Sequence, residues 1–150
     1  MKAIMIATTA VILLAASLVS PMPATAIEEV KVCPGSGNSG VSGSWFVNFD
    51  TGKATIRSED RKELNEAAKQ AKGRYVQVIC VIGRADKRGS PAANEALSRK
   101  RARAVAEYLV SRGVKSNTLL ISARGEAFGE NIFGSIVSAE DRRVEVKFIK

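Results

Sequence analysis

The sequence predicts an α/β protein of the two-layer α+β kind, in the order β-α-β-α-β-β, with two helices on one face of a mixed four-stranded sheet. Three observations predict it. The apolar, β-branched run RYVQVICVIG at 74–83 follows directly on a helical pattern, as a strand covered on both faces should. A second helical pattern runs from about Pro91 to Arg112 and stops at Gly113. In the closing segment RRVEVKFI, Val144, Val146 and Phe148 face one way while Arg143, Glu145 and Lys147 face the other.

Residues 1–26 read as an export leader. Lys2 is followed by the apolar AIMIATTAVILLAASLV and by SPMPATA, whose small-x-small end at Ala24-Thr25-Ala26 fits cleavage after Ala26 better than a retained membrane helix. Residues 27–43 contain PGSGNSGVSGS, which has no apolar period and predicts a flexible lead-in. The folded domain is then 44–150, beginning with the strand SWFVNFD. In RSEDRKELNEAAKQAKG, Leu64, Ala67, Ala68 and Ala71 share a helical face, with Ser58 as N-cap and Gly73 as a left-handed C-cap. After the second helix come a short strand LLISA and the alternating strand that closes the chain.

The 150 residues carry 23 Lys and Arg against 15 Asp and Glu, a net charge of +8. Lys2 is the only charge in the leader, so the exported chain is itself basic and its partner should be anionic. Nucleic acid is disfavoured by export and by cations that are not interleaved with aromatic stacking platforms. Cell-wall carboxylates or an anionic membrane surface remain. The chain contains no histidine, no Ser-x-x-Lys pair, and two cysteines without zinc-site spacing, which argues against an enzyme and against a metal or other cofactor. In an oxidising compartment Cys33 and Cys80 suggest a bridge. The competing reading leaves Cys80 as a small buried hydrophobe and Cys33 free; a lipid anchor on Cys33 is discounted, because the charged Val30-Lys31-Val32 lacks the small residues such a site uses.

The stretch LSRKRARAV places Arg99, Lys100, Arg101 and Arg103 within five positions. At 100° per residue, Arg101 falls on the apolar stripe with Asn94, Leu97, Ala104, Val105, Tyr108 and Leu109, whereas the other three cations and Glu107 lie opposite. An inward guanidinium cannot shed its proton and must find an anion or an opening. Asp86, in the turn GRADKRGSPAAN at the carboxyl end of the buried strand, is the candidate partner. Together they form either an internal salt bridge or the two poles of a site for a zwitterion, in the place where α/β sheets commonly bind ligands.

These residues carry a resemblance. GRADKRGSPAANEALSRKRARAVAEYLVSRGV, with the upstream VNFDTGKATI and the downstream ARGE and DRRVEV, resembles the OmpA-like peptidoglycan-binding domain, the family that includes the peptidoglycan-associated lipoprotein. The likeness runs from Trp45 to about Ile149. It implies that Asp86 and Arg101 grip the amino-acid end of diaminopimelate in the stem peptide of the wall, with Asn94 shaping the pocket. Asp50 and Arg142 match positions at the pocket rim, where simple surface ion pairing is an equal reading. Arg84 stands where the family has an uncharged residue and could draw Asp86 into a local pair; Ala93 replaces a frequent Tyr, and Asp141 a common Asn. The expectation is a periplasmic, wall-binding module associated with the outer membrane, held there by another envelope protein. The alternative is an interaction subunit of an envelope-spanning machine, a secretion system or motor, that keeps the fold and binds protein.

Overall fold

The computed structural model describes residues 26–34, 41–73, 76–86, 88–126 and 141–149. The expected leader lies outside these residues except for Ala26. The elements are β1 (Glu28–Glu29), β2 (Val41–Asn48), α1 (Asp60–Gly73), β3 (Val78–Ala85), α2 (Pro91–Ser111), β4 (Leu119–Glu126) and β5 (Arg143–Ile149), with a 3-10 turn at Ser116–Thr118 before β4. The strand order is β1-β4-β3-β5-β2. β1 and β3 lie parallel to β4, while β5 runs antiparallel to both β3 and β2.

The mixed two-layer α/β architecture is as expected, but the sheet has five strands where four were expected. The extra one comes from the segment expected as a flexible lead-in. Glu28 and Glu29 pair with Leu120 and Ile121, the Val30 N–H donates to the Ile121 carbonyl at 2.8 Å, and Ser122 Oγ donates to the Lys31 carbonyl at 3.0 Å. Side chains fix the segment as well. Arg103 donates to Glu29 at 2.6 Å, and Arg99 is paired with both Glu29 (3.2 Å) and Glu95 (2.7 Å). Two of the outward cations of the helix thus clamp β1 to the body of the domain.

Cys33 and Cys80 form a disulfide, Cα atoms 6.0 Å apart, which settles the question the sequence left open. The bridge spans 47 positions, and closing a loop of that size restricts the unfolded chain by about 4 kcal/mol. It also covers the second face of β3, where Cys33, Cys80, Ile82 and Ile149 form a small apolar cluster with Val30, Val78 and Leu120. The other face carries the main core. Val47, Ile79, Val81, Leu119, Ile121, Val144, Val146 and Phe148 of the sheet meet Leu64, Ala67 and Ala68 of α1 and Ala102, Val105, Ala106 and Leu109 of α2.

The helix ends differ in detail from expectation. α1 starts at Asp60, and the Ser58 hydroxyl donates to the Glu59 carboxylate at 3.2 Å instead of capping the helix. Gly73 is the last residue of α1, with no positive φ; Gly113, after α2, takes the left-handed conformation at φ 89°. Ser90 caps α2 by accepting from the Ala93 N–H at 3.2 Å, ahead of Pro91.

α2 is also rotated from the expected stripe. Its buried residues are Asn94, Ser98, Arg101, Ala102, Val105, Ala106 and Leu109, while Leu97, Ala104 and Tyr108 are half-buried. The smallest side chains face the sheet, so the backbones approach closely. A Cβ built on Gly83 would lie 2.0 Å from the Ser98 carbonyl oxygen, a backbone atom that cannot swing away. Gly83→Ala should therefore push α2 off β3 and cost about 1–3 kcal/mol, read as a lower urea midpoint with an unchanged slope.

Candidate functional site

The site lies at one end of the sheet, where β2 and β3 finish and β5 begins. β2 leads into a turn in which the Lys53 N–H donates to the Asp50 carbonyl at 3.1 Å, with Gly52 supplying the positive φ of 69°. β3 leads into Asp86, and the chain turns through Gly89, at φ 99°, into the capped start of α2. Arg142 enters β5, and its carbonyl accepts from the Phe49 N–H at 2.8 Å, so the β2 and β5 ends are tied together.

Arg101 is fully buried, as its place on the helix predicts. Its partners are main-chain atoms. Nε donates to the Lys53 carbonyl at 2.8 Å, Nη2 to the Asp50 carbonyl at 2.9 Å and Nη1 to the Arg84 carbonyl at 3.1 Å, with Phe49 5.3 Å beneath the guanidinium. One side chain from α2 thus ties the turn after β2 to the end of β3. Burial pushes the Arg101 guanidinium below its ordinary value and the nearby charge of Asp86 opposes this.

Asp86 is 6% exposed and makes its contacts elsewhere. Oδ2 accepts from Arg88 Nη2 at 2.8 Å and Nε at 3.2 Å and from Arg142 Nη1 at 3.2 Å, and Oδ1 accepts from the Arg88 backbone N–H at 3.3 Å. Burial acts to raise its carboxyl, but the hydrogen bonds from Arg88 and Arg142 outweigh it and hold the group below its ordinary 3.8. Asp86 is therefore an ionised, nearly dry carboxylate facing an excess of arginine.

The sequence-derived site residues thus gather at one end of the fold, with a different pairing from the one considered. Asp86 and Arg101 are neighbours without a salt bridge between them. Arg84, considered as the local partner of Asp86, instead approaches Glu145 at 3.7 Å. Arg88 takes that role, and no periodicity flagged it in the polar turn KRGSP. Asn94 is buried, with its side-chain oxygen lying against Gly89 and its N–H donating to the Ser90 carbonyl at 3.0 Å. Asp50 is exposed at the rim and pairs with Lys53 at 3.4 Å, whereas Arg142 reaches the Asp86 carboxylate. Ala93 is exposed. Among the described residues no group of three or more Cys, Asp and Glu is arranged to hold a metal ion.

Two outcomes follow for stability. Arg101→Ala takes the side-chain donor from the Lys53 and Arg84 carbonyls, leaves the Asp50 carbonyl with the Lys53 N–H alone, and opens a cavity. It should cost about 3–5 kcal/mol in urea unfolding, with Arg101→Lys recovering only part because a compact ammonium lacks the planar fork that spans the three acceptors. Asp86→Asn should cost about 1.5–3 kcal/mol at pH 7. Because the folded carboxyl titrates below 3.8, that contribution is complete above the unfolded value and disappears as pH falls through the folded one, so wild-type and Asp86→Asn midpoints should converge below about pH 3.8.

Comparison with known proteins agrees with this architecture. The sequence pattern of the OmpA family matches residues 48–143. Outer membrane protein A of Bordetella avium is 34% identical over 105 residues, which cover 67% of this chain and 53% of that protein. The chain spans between about a third and a half of the length of the curated relatives it matches. Among solved structures, the peptidoglycan-associated lipoprotein from Burkholderia pseudomallei superposes with a TM-score of 0.59 at 26% identity, covering 69% of this chain and 88% of that one. The C-terminal domain of Helicobacter pylori MotB gives 0.58 at 25% identity, over 70% and 84%. With sequence pattern, relatives and fold in agreement, the chain belongs to the OmpA family.

Proposed function

We propose that this protein holds peptidoglycan non-covalently in the cell envelope, through the amino-acid end of diaminopimelate in the stem peptide, and so tethers or organises the outer membrane and the wall. The observation that carries the reading is the ionised, 6%-exposed carboxylate of Asp86 at the end of the central strand, set among arginines. A free amino-acid end presents an α-ammonium and an α-carboxylate, and needs one anionic acceptor beside cationic donors. Asp86 is the acceptor. Arg142 supplies charge beside it, and Arg101, its donors engaged by three carbonyls, contributes frame and field. Asn94 supports the turn from below and Asp50 marks the rim. The name of the Burkholderia relative associates that protein with peptidoglycan, which supports the same ligand class here. The reading includes export by the leader at 1–26 to the periplasm and binding without catalysis.

The test is co-sedimentation with purified diaminopimelate-type sacculi at moderate salt. Wild type should pellet, and Asp86→Ala should lose at least about tenfold in affinity, the loss expected when a charged hydrogen-bonding partner is removed. A triple change of Lys69, Lys100 and Lys115 to Gln should have little effect; these cations are exposed, whereas Arg99 and Arg103 hold β1 and are left intact. Binding that survives Asp86→Ala but vanishes with the triple change and with salt would be diffuse electrostatics, and would turn attention to a protein partner in an envelope machine.

A further inference from the structure

The acceptor at the centre of the site is already occupied by a side chain from its own turn. Arg88 places two donors on Asp86 Oδ2, at 2.8 and 3.2 Å, while its Nη2 also reaches Thr51 Oγ1 at 3.4 Å on the turn after β2. The guanidinium therefore bridges the two turns while it holds the carboxylate. Its neighbour on the same oxygen, Arg142, is 20% exposed and continues into β5, but the Arg88 side chain is 52% exposed and rises from a turn that ends in Gly89. Of the two, Arg88 is the one that can swing into water, since half of its side chain is already exposed while Arg142 is held at the start of β5.

We propose that Arg88 determines which ligands the site admits: in the free protein it stands in for the ligand's ammonium on Asp86, and an incoming amine must displace it. The inference rests on the proposed reading of Asp86 as an ammonium acceptor. An amine alone exchanges one cation for another on the same oxygen and leaves Arg88 without its anion, in surroundings that Arg142 and Arg101 already make positive. A zwitterion brings its own carboxylate, which gives the displaced guanidinium a new partner. Arg88 thus selects an amino-acid end over a bare amine of the same length, such as a lysine side chain on a passing protein.

The experiment compares two probes on the purified protein by calorimetry, meso-diaminopimelate and cadaverine, the same carbon chain without carboxylates. Wild type should bind diaminopimelate and discriminate against cadaverine. Arg88→Gln should bind cadaverine about tenfold more tightly than wild type, the change expected when a charged hydrogen-bonding competitor is removed from Asp86, and its preference for diaminopimelate should fall by about that factor. Arg88→Lys, which restores a cation, should recover most of the discrimination. The Asp86 side-chain carbon resonance, followed with pH in both proteins, reports the contact itself and should titrate at higher pH in Arg88→Gln. Unchanged cadaverine affinity in Arg88→Gln, or an Asp86 titration that does not move, overturns the proposal. Failure of wild type to bind diaminopimelate, with cadaverine still gaining on Arg88→Gln, rejects the ligand reading and leaves Arg88 as the guard of Asp86.

Discussion

The end of the sheet where β2 and β3 finish is arranged around the buried guanidinium of Arg101, which cannot lose its charge and lies entirely out of water. A charge in that position must be matched by groups that are themselves fixed, and here they are the carbonyls of Asp50, Lys53 and Arg84. The match works in both directions. Two carbonyls of the turn after β2 and one near the end of β3 are thus drawn to a single planar fork. The turn after β2 and the end of β3 are consequently held in fixed register by a residue on α2, and Asp86 inherits its position from that register.

The same closeness sets the rest of the core. Because Ser98, Ala102 and Ala106 line the contact, α2 lies near enough to β3 that only Gly83 fits beneath it. A helix packed on larger side chains would stand higher, and the Arg101 side chain would then reach the strand ends from further away. Short side chains at the sheet contact and a long cation one turn away are thus two parts of one geometric solution. The clamp of Glu29 by Arg99 and Arg103 is on the outward side of the same helix, so α2 organises both the central strands and the edge strand β1.

Much of this was legible in the sequence where a period exists to be read. Val144, Val146 and Phe148 are all fully buried, as their alternation requires, and Arg101 faces inward as its helical phase requires. β1 was not legible: two glutamates between Ile27 and Val30 are too short a run to show a strand period, and a disulfide and two arginines hold the segment in place. The partners of Arg101 were not legible either, since sequence patterns show side chains while its acceptors are main-chain oxygens. Arg88 was hidden for a related reason. A turn has no periodicity, so no pattern in the sequence marks which of several cations in a polar stretch folds back on the aspartate.

The disulfide has a mechanical meaning. Cys33 belongs to the N-terminal segment and Cys80 to the central strand, and the strand that carries Cys80 runs directly into Asp86. Tension applied ahead of Glu28 would meet first the short pairing of β1 and then a covalent link that hands it to β3, bypassing β2, α1 and the turns between them. The shortest covalent route between a pulled N-terminus and the carboxylate therefore skips the chain between the two cysteines, and the elements it bypasses carry no load along that route while the bridge is intact.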